Sequence, residues 1–322
     1  MLSVIIPAYN EEKMIQKINS ILSKMLRREG IDHEIIFVND GSSDDTWKEI
    51  SNVCNQHSSV KAVSFSRNFG KDAAIFAGMK CAKGDCCVLI DCDLQHPPEL
   101  IVSMYHLWQK GYEIVEGVKS ERGKESLIHK LAAKSFYSLI SRTSGIDMRN
   151  ASDFKLLDRK VVDALLAMPE RQVFFRALSS WVGFKSTTLL FEVQERQDGT
   201  SKWSVISLIK YALNNIASFS AAPMQIVTVA GVIFLLFSFI LGIQTLIFYY
   251  MGKSLEGFST VIILLLTVGS ILMISLGIIG YYISKIYNEI KGRPRYIVAE
   301  SLNGSRENKM QPDCLSIKEE EI

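Results

Sequence analysis

The sequence predicts an α/β domain with a mainly parallel sheet, followed by a helical membrane hairpin. Three observations predict it. Short apolar runs alternate with helix-patterned segments through the first 118 residues. Acidic turns follow two of those runs directly, at Asn39-Asp40-Gly41 and Asp91-Cys92-Asp93. Two stretches, 211–252 and 257–284, contain no charged residue, and each exceeds the roughly 20 apolar residues that cross a bilayer.

Residues 2–6 are apolar and β-branched and end at Pro7-Ala8-Tyr9-Asn10. A helix is expected over 11–28, because Ile15, Ile18, Ile21, Leu22, Met25 and Leu26 share one face, and Gly30 stops it. Residues 34–39 read as a buried strand, and Asp44 is placed to cap a helix over 45–54. Strand 60–64, helix 70–82 and strand 86–90 follow, the last apolar on both faces. Beyond lie a strand at 114–118, helices at 128–141 and 155–167, and a strand at 189–195. Residues 204–220 are amphipathic, with Ile206, Ile209 and Leu213 on one side, and read as a helix lying on a bilayer surface. In parallel sheets ligands collect at the carboxyl ends of strands, and Asp40, Asp91 and Asp93 all fall there.

The chain has 322 residues, 48% of them hydrophobic, and a net charge of +2. No basic run is long enough for a nucleic-acid stripe. None of the six cysteines forms a Cys-x-x-Cys pair, so free buried thiols are expected, as in a reducing cytosol. The N-terminus lacks a basic n-region, and Pro7, Asn10, Glu11 and Glu12 interrupt any signal-like apolar core. Lys202, Lys210, Lys285, Lys291, Arg293 and Arg295 flank the expected hairpin, whereas only Lys253 lies in its loop. The positive-inside rule then places both flanks in the cytosol, in a multi-pass protein of the plasma (inner) membrane. The tail from Ser301 is polar and expected to be disordered.

The strongest chemical element is Asp91-Cys92-Asp93-Leu94-Gln95-His96-Pro97-Pro98-Glu99. Two carboxylates at i and i+2 after a buried strand need a positive partner, and a hard divalent cation suits them. Mg²⁺ or Mn²⁺ there would hold a nucleotide diphosphate and take up charge on a leaving group. Alone, such a pair is weak evidence, being more often a solvated turn or a helix cap. The same holds for Pro7-Ala8-Tyr9-Asn10-Glu11 and Val38-Asn39-Asp40-Gly41-Ser42-Ser43-Asp44, which singly read as turn chemistry. His96 reads as a polar turn residue and Trp181 as core or near-membrane packing.

Together these elements resemble family-2 glycosyltransferases of the GT-A fold. The branch is that of dolichol-phosphate mannose synthase and the bactoprenol (undecaprenyl-phosphate) glucosyltransferases. The resemblance spans about residues 1–298 and includes Ser66-Arg67-Asn68-Phe69-Gly70-Lys71, Phe136-Tyr137, Asp153-Phe154-Lys155-Leu156-Leu157 and Ser201-Lys202-Trp203. It implies a cytosolic catalytic domain over 1–203, an interfacial helix over 204–221, a two-helix hairpin over 222–285 and a cytosolic tail over 286–322. It also implies inverting transfer of a hexose from a nucleotide sugar to a polyisoprenyl phosphate. UDP-glucose and undecaprenyl phosphate are the first expectation, and UDP-GlcNAc, UDP-galactose and GDP-mannose are the alternative donors.

The resemblance further implies that Pro7, Tyr9, Glu11, Asp40, Asp91 and Cys92 contact the nucleotide. Asp91, Asp93 and Gln95 hold the metal, and Lys119, Arg122, Arg196 and Lys202 bind phosphates. Asp93 and Asp153 carry catalysis, Asp153 either as a base or as a group orienting acceptor or sugar. A homo-oligomer and a separate flippase are the implied protein partners. Lys119 and Lys155 stand where arginine is usual, Ala177 where glycine is frequent and Trp203 where tyrosine is frequent. A processive polysaccharide synthase would need more membrane helices and a Gln-x-x-Arg-Trp motif, which is absent. A non-catalytic nucleotide-sugar-binding scaffold is the other rival.

Overall fold

The computed structural model describes residues 1–119, 152–170, 174–191 and 257–303, with scattered positions between 229 and 251. The chain forms two compact units, one of Met1–Ser141, Ile146–Trp203 and Gly292–Ile322, the other of Arg142–Gly145 and Ser204–Lys291.

The first unit is built on strands β1 (Leu2–Ala8), β2 (His33–Asn39), β3 (Val60–Phe65), β4 (Cys86–Leu89), β5 (Ile114–Lys119), β6 (Lys155–Asp158), β7 (Ser186–Phe191) and β8 (Val298–Leu302). Its helices are α1 (Ile15–Arg28), α2 (Thr46–Gln56), α3 (Lys71–Cys81), α4 (Leu100–Gln109), α5 (Arg159–Ala167) and α6 (Phe175–Trp181). The sheet order is β7-β5-β6-β4-β1-β2-β3-β8. Pairs β1–β2, β1–β4, β2–β3 and β5–β7 are parallel, whereas β4–β6, β5–β6 and β3–β8 are antiparallel. The expected mainly parallel α/β sheet is therefore present, with antiparallel insertions.

Local chemistry explains the first crossover. Ile15, Ile18, Leu22, Met25 and Leu26 of α1 are buried. Gly30 then takes φ 65°. Its N–H donates to the Arg27 carbonyl at 3.1 Å, and the Ile31 N–H donates to the Leu26 carbonyl at 2.9 Å. This Schellman stop is open to glycine at little steric cost and turns the chain into β2. At α2, the carboxylate one residue ahead of the cap does the capping: Asp44 accepts from the Thr46 N–H at 3.1 Å.

Two elements differ from the sequence reading. Residues 155–167 are not one helix, because 155–158 form β6. Leu156 and Leu157 are fully buried, and β6 is hydrogen-bonded between β4 and β5. Pairing on both sides outweighs the helical spacing of 156, 157, 161 and 165. Asp158 then caps α5 by accepting from the Lys160 N–H at 2.9 Å. Order also extends past Ser301. β8 adds to the β3 edge, Asn303 donates to the carbonyls of Cys54 and Val60 at 2.8 and 3.0 Å, and the Trp47 indole donates to Glu300 at 3.1 Å. Just before β8, Tyr296 stacks on Phe65 with centroids 4.9 Å apart. Arg295 lies over the Phe76 ring and donates to the carbonyls of Met168 and Glu170. β7 begins three residues before the expected 189, and the helices expected at 128–141 and 204–220 lie outside the described residues.

The second unit contains α7 (Phe258–Ile290). Within it, Thr267–Ile290 is long and apolar enough to cross a membrane, and none of it is buried. Leu272, Met273, Ile274 and Leu276 are each about 60% exposed or more. Apolar surface on that scale marks association with a membrane rather than with water. The expected pair of spans is thus one long apolar helix among the described residues.

Candidate active site

The site is laid out along the carboxyl ends of β1, β2, β3 and β4. After β1, Asn10 turns with φ 56°, a conformation that asparagine tolerates. Its carboxamide oxygen accepts from the Ser43 N–H at 2.9 Å, and its own N–H donates to Ser42 at 3.0 Å. The Glu11 N–H donates to Thr46 at 2.8 Å. These bonds lace the β1 turn to the β2 turn and leave the Tyr9 ring 43% exposed. The buried Asp40 carboxylate accepts from the N–H groups of Phe69 (2.7 Å) and Gly70 (3.0 Å). Burial pushes its carboxyl up, against those two donors. Gly41, at φ +64°, has no room for a Cβ, which would lie 2.3 Å from the Arg67 carbonyl carbon. The turns after β2 and β3 are therefore pressed together.

β4 delivers Asp91 and Asp93. Asp93 accepts from the Gln95 N–H at 3.1 Å, and the intervening Leu94 takes φ 55° with its side chain buried. A left-handed leucine is strained, and strain of this kind gathers at working sites. Cys92 packs into the core, where burial pushes its thiol far up.

Ion pairs join this turn to β6 and α6. The Lys71 ammonium, the first residue of α3, sits 2.6 Å from Asp91 and 2.9 Å from Asp153. Arg176 of α6 grips both oxygens of Asp153, each at 2.7 Å. Burial alone would raise the Asp153 carboxyl, but Lys71 and Arg176 hold it far below the usual carboxylate range. Burial likewise works against the Lys71 charge, and Asp91 and Asp153 together raise it.

Asp72, the next residue, accepts from the Phe175 N–H at 3.2 Å and so fixes the start of α6. Burial and the nearby Asp153 push its carboxyl up to about 6 from the ordinary 3.8. The folded state then binds the extra proton between pH 3.8 and about 6, so Asp72's share of stability falls as pH rises through that window. An Asp72→Asn protein, whose amide oxygen still accepts from Phe175, is expected to lose that downward component. Thermal midpoints measured from pH 4 to 7 would show it, and an unchanged profile would refute it.

His96 lies in a bend of the loop after β4, as expected, but its ring is mostly buried. Its ring stacks on Phe154 (centroids 4.8 Å) and meets Phe191 edge-on at 5.5 Å. Its Nδ1 is buried, has no hydrogen-bond partner and lies 3.9 Å from Asp91. Burial lowers its basicity despite Asp91. Lys155, which stands where arginine is usual, is architectural here. It is fully buried, pairs with Glu116 at 3.1 Å and donates to Ser179 at 2.8 Å. Burial pushes its ammonium down, against the pull of Glu116. Trp181 is 60% exposed and is not core.

Of the expected site residues, the structure brings together Asp91 and Asp153 through Lys71, and places Asp93 and Gln95 in the same β4 turn. Pro7, Tyr9 and Glu11 lie at the β1 turn, and Asp40 is spent on the loop of Phe69 and Gly70. Lys119 ends β5, whereas Arg122, Arg196 and Lys202 lie outside the described residues. The sequence reading assigned no role to Lys71 or Arg176. Lys71 closes the Ser66–Lys71 motif, which was a signal, but Arg176 has none.

Among the described residues no group of three His, Cys, Asp or Glu side chains is placed to hold a metal ion alone. Two oxygen donors, Asp91 and Asp93, beside the orphaned Nδ1 of His96 nonetheless suit a hard cation that takes its remaining ligands from a bound diphosphate. The donor set therefore fits Mg²⁺ or Mn²⁺, whose remaining positions a nucleotide diphosphate can fill.

This chain is similar to several known proteins. The family model for glycosyl transferase family 2 matches residues 3–166. The putative glycosyltransferase CsbB of Bacillus subtilis is 38% identical over 303 residues, 94% of this chain and 92% of that protein. The SfII prophage-derived bactoprenol glucosyl transferase of Shigella flexneri is 34% identical over 309 residues, 94% of this chain and 99% of its own length. Glucosyl-3-phosphoglycerate synthase of Mycobacterium tuberculosis, solved with Mn²⁺ and UDP-glucose, is a distant likeness. It is 19% identical, with a TM-score of 0.46 over 67% of this chain and 77% of that one.

Proposed function

This chain belongs to glycosyl transferase family 2, and from that premise we propose that it moves a hexose, glucose first, from a UDP-sugar to undecaprenyl phosphate at the cytosolic membrane face. The observation that carries the reading is the likeness to a bactoprenol glucosyl transferase over 94% of this chain, a length that takes in the long apolar helix.

In this reading the exposed Tyr9 ring stacks on the base, beside Pro7 and Glu11. Cys92, buried by its side chain, offers only its main chain. Asp40 acts through the loop that it fixes. Asp91, Asp93 and Gln95 hold a divalent cation, which when bound supplies positive charge to the departing diphosphate. Lys119, Arg122, Arg196 and Lys202 serve the phosphates. The lipid phosphate oxygen attacks the anomeric carbon, the bond from that carbon to the diphosphate oxygen breaks, and the nucleoside diphosphate leaves. One displacement inverts the anomeric centre.

A phosphate monoester is already largely anionic near neutral pH, so its attack needs no strong base. Asp153 is a poor one, since Arg176 and Lys71 occupy both its oxygens and depress its carboxyl. Its role is to orient.

The membrane segment supports an even number of crossings. β3 precedes the apolar stretches and β8 follows them, yet the two are hydrogen-bonded in one sheet. We read both as lying on one side of the membrane, with the uncharged run 211–252 as a second crossing beside α7. The working division is a catalytic domain over 1–203 completed by 292–303, an interfacial helix over 204–221 and a hairpin over 222–285.

The test is a transfer assay. Detergent-purified protein receives undecaprenyl phosphate, Mg²⁺ or Mn²⁺, and radiolabelled UDP-glucose, UDP-GlcNAc, UDP-galactose or GDP-mannose in separate tubes. Label entering the lipid phase with UDP-glucose is the expected result. Transfer from another donor would replace the sugar, and nucleotide binding without transfer would leave a binding scaffold.

A further inference from the structure

Lys71 occupies an unusual position. Its ammonium bridges Asp91, in the turn that suits a cation, and Asp153, on the far side of the site. Its side chain is 40% exposed, so it is not locked in by packing. Asp153 does not depend on it, because Arg176 already holds both carboxylate oxygens at 2.7 Å. Among the described residues, the charged or titratable contacts of Asp91 are Lys71 and, at 3.9 Å, the ring of His96.

We infer that Lys71 is an exchangeable counter-ion: it neutralises Asp91 until a divalent cation takes its place, then turns its ammonium to a substrate phosphate. The inference rests on the reading of this site as a family-2 donor site. Like charges a few ångströms apart in a partly desolvated site repel strongly, so a cation bound at Asp91 displaces the ammonium. The four-carbon stem lets the ammonium swing away. Charge stays balanced after the exchange. The cation serves Asp91, Arg176 serves Asp153, and Lys71 is released where an anionic phosphate must bind. The exchange also couples two events, because the phosphate ligand becomes available only once the cation has arrived.

The inference has a sign that a supporting role lacks. If Lys71 merely orients Asp91, its loss weakens cation binding. If it competes for Asp91, its loss strengthens it. Mn²⁺ is titrated into the full-length protein in detergent, without nucleotide or lipid, and followed by electron paramagnetic resonance. Lys71→Met and Lys71→Gln are expected to bind Mn²⁺ about tenfold more tightly or better, since about 1.4 kcal/mol suffices for that factor. Lys71→Arg is expected to bind as the unsubstituted protein does. Equal or weaker binding in the two neutral variants, including no binding in any protein, would overturn the inference. Thermal midpoints check that both variants fold.

A second arm measures calorimetric binding of UDP, or of farnesyl phosphate as a short lipid phosphate, at saturating Mn²⁺. One of the two is expected to weaken about tenfold in Lys71→Met. Loss with UDP assigns the freed lysine to the donor, and loss with farnesyl phosphate assigns it to the acceptor. Loss with neither overturns that step. Both arms read binding, so they stand apart from the transfer assay, whose failure would sink the enzyme reading instead.

Discussion

Asp93→Ala is expected to lower sugar transfer at least about a thousandfold, close to 4 kcal/mol of transition-state stabilisation. The size follows from what the side chain does twice. Its carboxylate is one of two hard donors in the β4 turn, and its Oδ1 also accepts from the Gln95 N–H, holding Leu94 at φ 55°. Alanine removes the donor and releases the strained turn together. Transfer of label from UDP-glucose to undecaprenyl phosphate reads the first effect, and added Mn²⁺ over a wide range should not restore it. Turnover within tenfold of the unsubstituted enzyme would remove Asp93 from the machinery.

The largest effect on stability is expected at Lys155. Cutting it to alanine leaves Glu116 facing a buried space with its cation gone, and breaking a buried pair in this way costs about 3–5 kcal/mol. For a domain of this size that is a fall of about 10 °C in the thermal midpoint. The double change Lys155→Met with Glu116→Gln removes both charges. The new amide oxygen still accepts from the Ser152 N–H, as Glu116 does at 2.6 Å. Most of the loss should return. If the double variant melts no higher than Lys155→Ala, the pair is not what holds β5, β6 and α6 together.

Much of the sheet was legible because strands buried on both faces read as apolar runs. The turns that carry Asp40, Asp91 and Asp93 follow those runs without a gap. β6 was not legible. Four residues give too little periodicity, and their strand identity comes from partners on β4 and β5. The pairing of Lys71 with Asp153 was hidden for a related reason. They lie 82 positions apart, and no spacing rule connects residues that only a folded sheet brings together. Lys155 stands out in the sequence only as a lysine where arginine is usual, and its burial gives it an architectural place.

The eighth strand carries a consequence for how the protein is made. A ribosome releases residues 1–203 first, and at that stage the β3 edge has no neighbour. An uncovered edge invites pairing with another chain. β8 emerges only after the apolar stretches have been synthesised, and at about 5–20 residues per second that interval lasts several seconds. Closure of the sheet is thereby timed after synthesis of the apolar stretches. An expression clone ended at residue 203 would carry the exposed edge permanently, and joining residues 292–303 to it by a short polar linker would restore the missing neighbour.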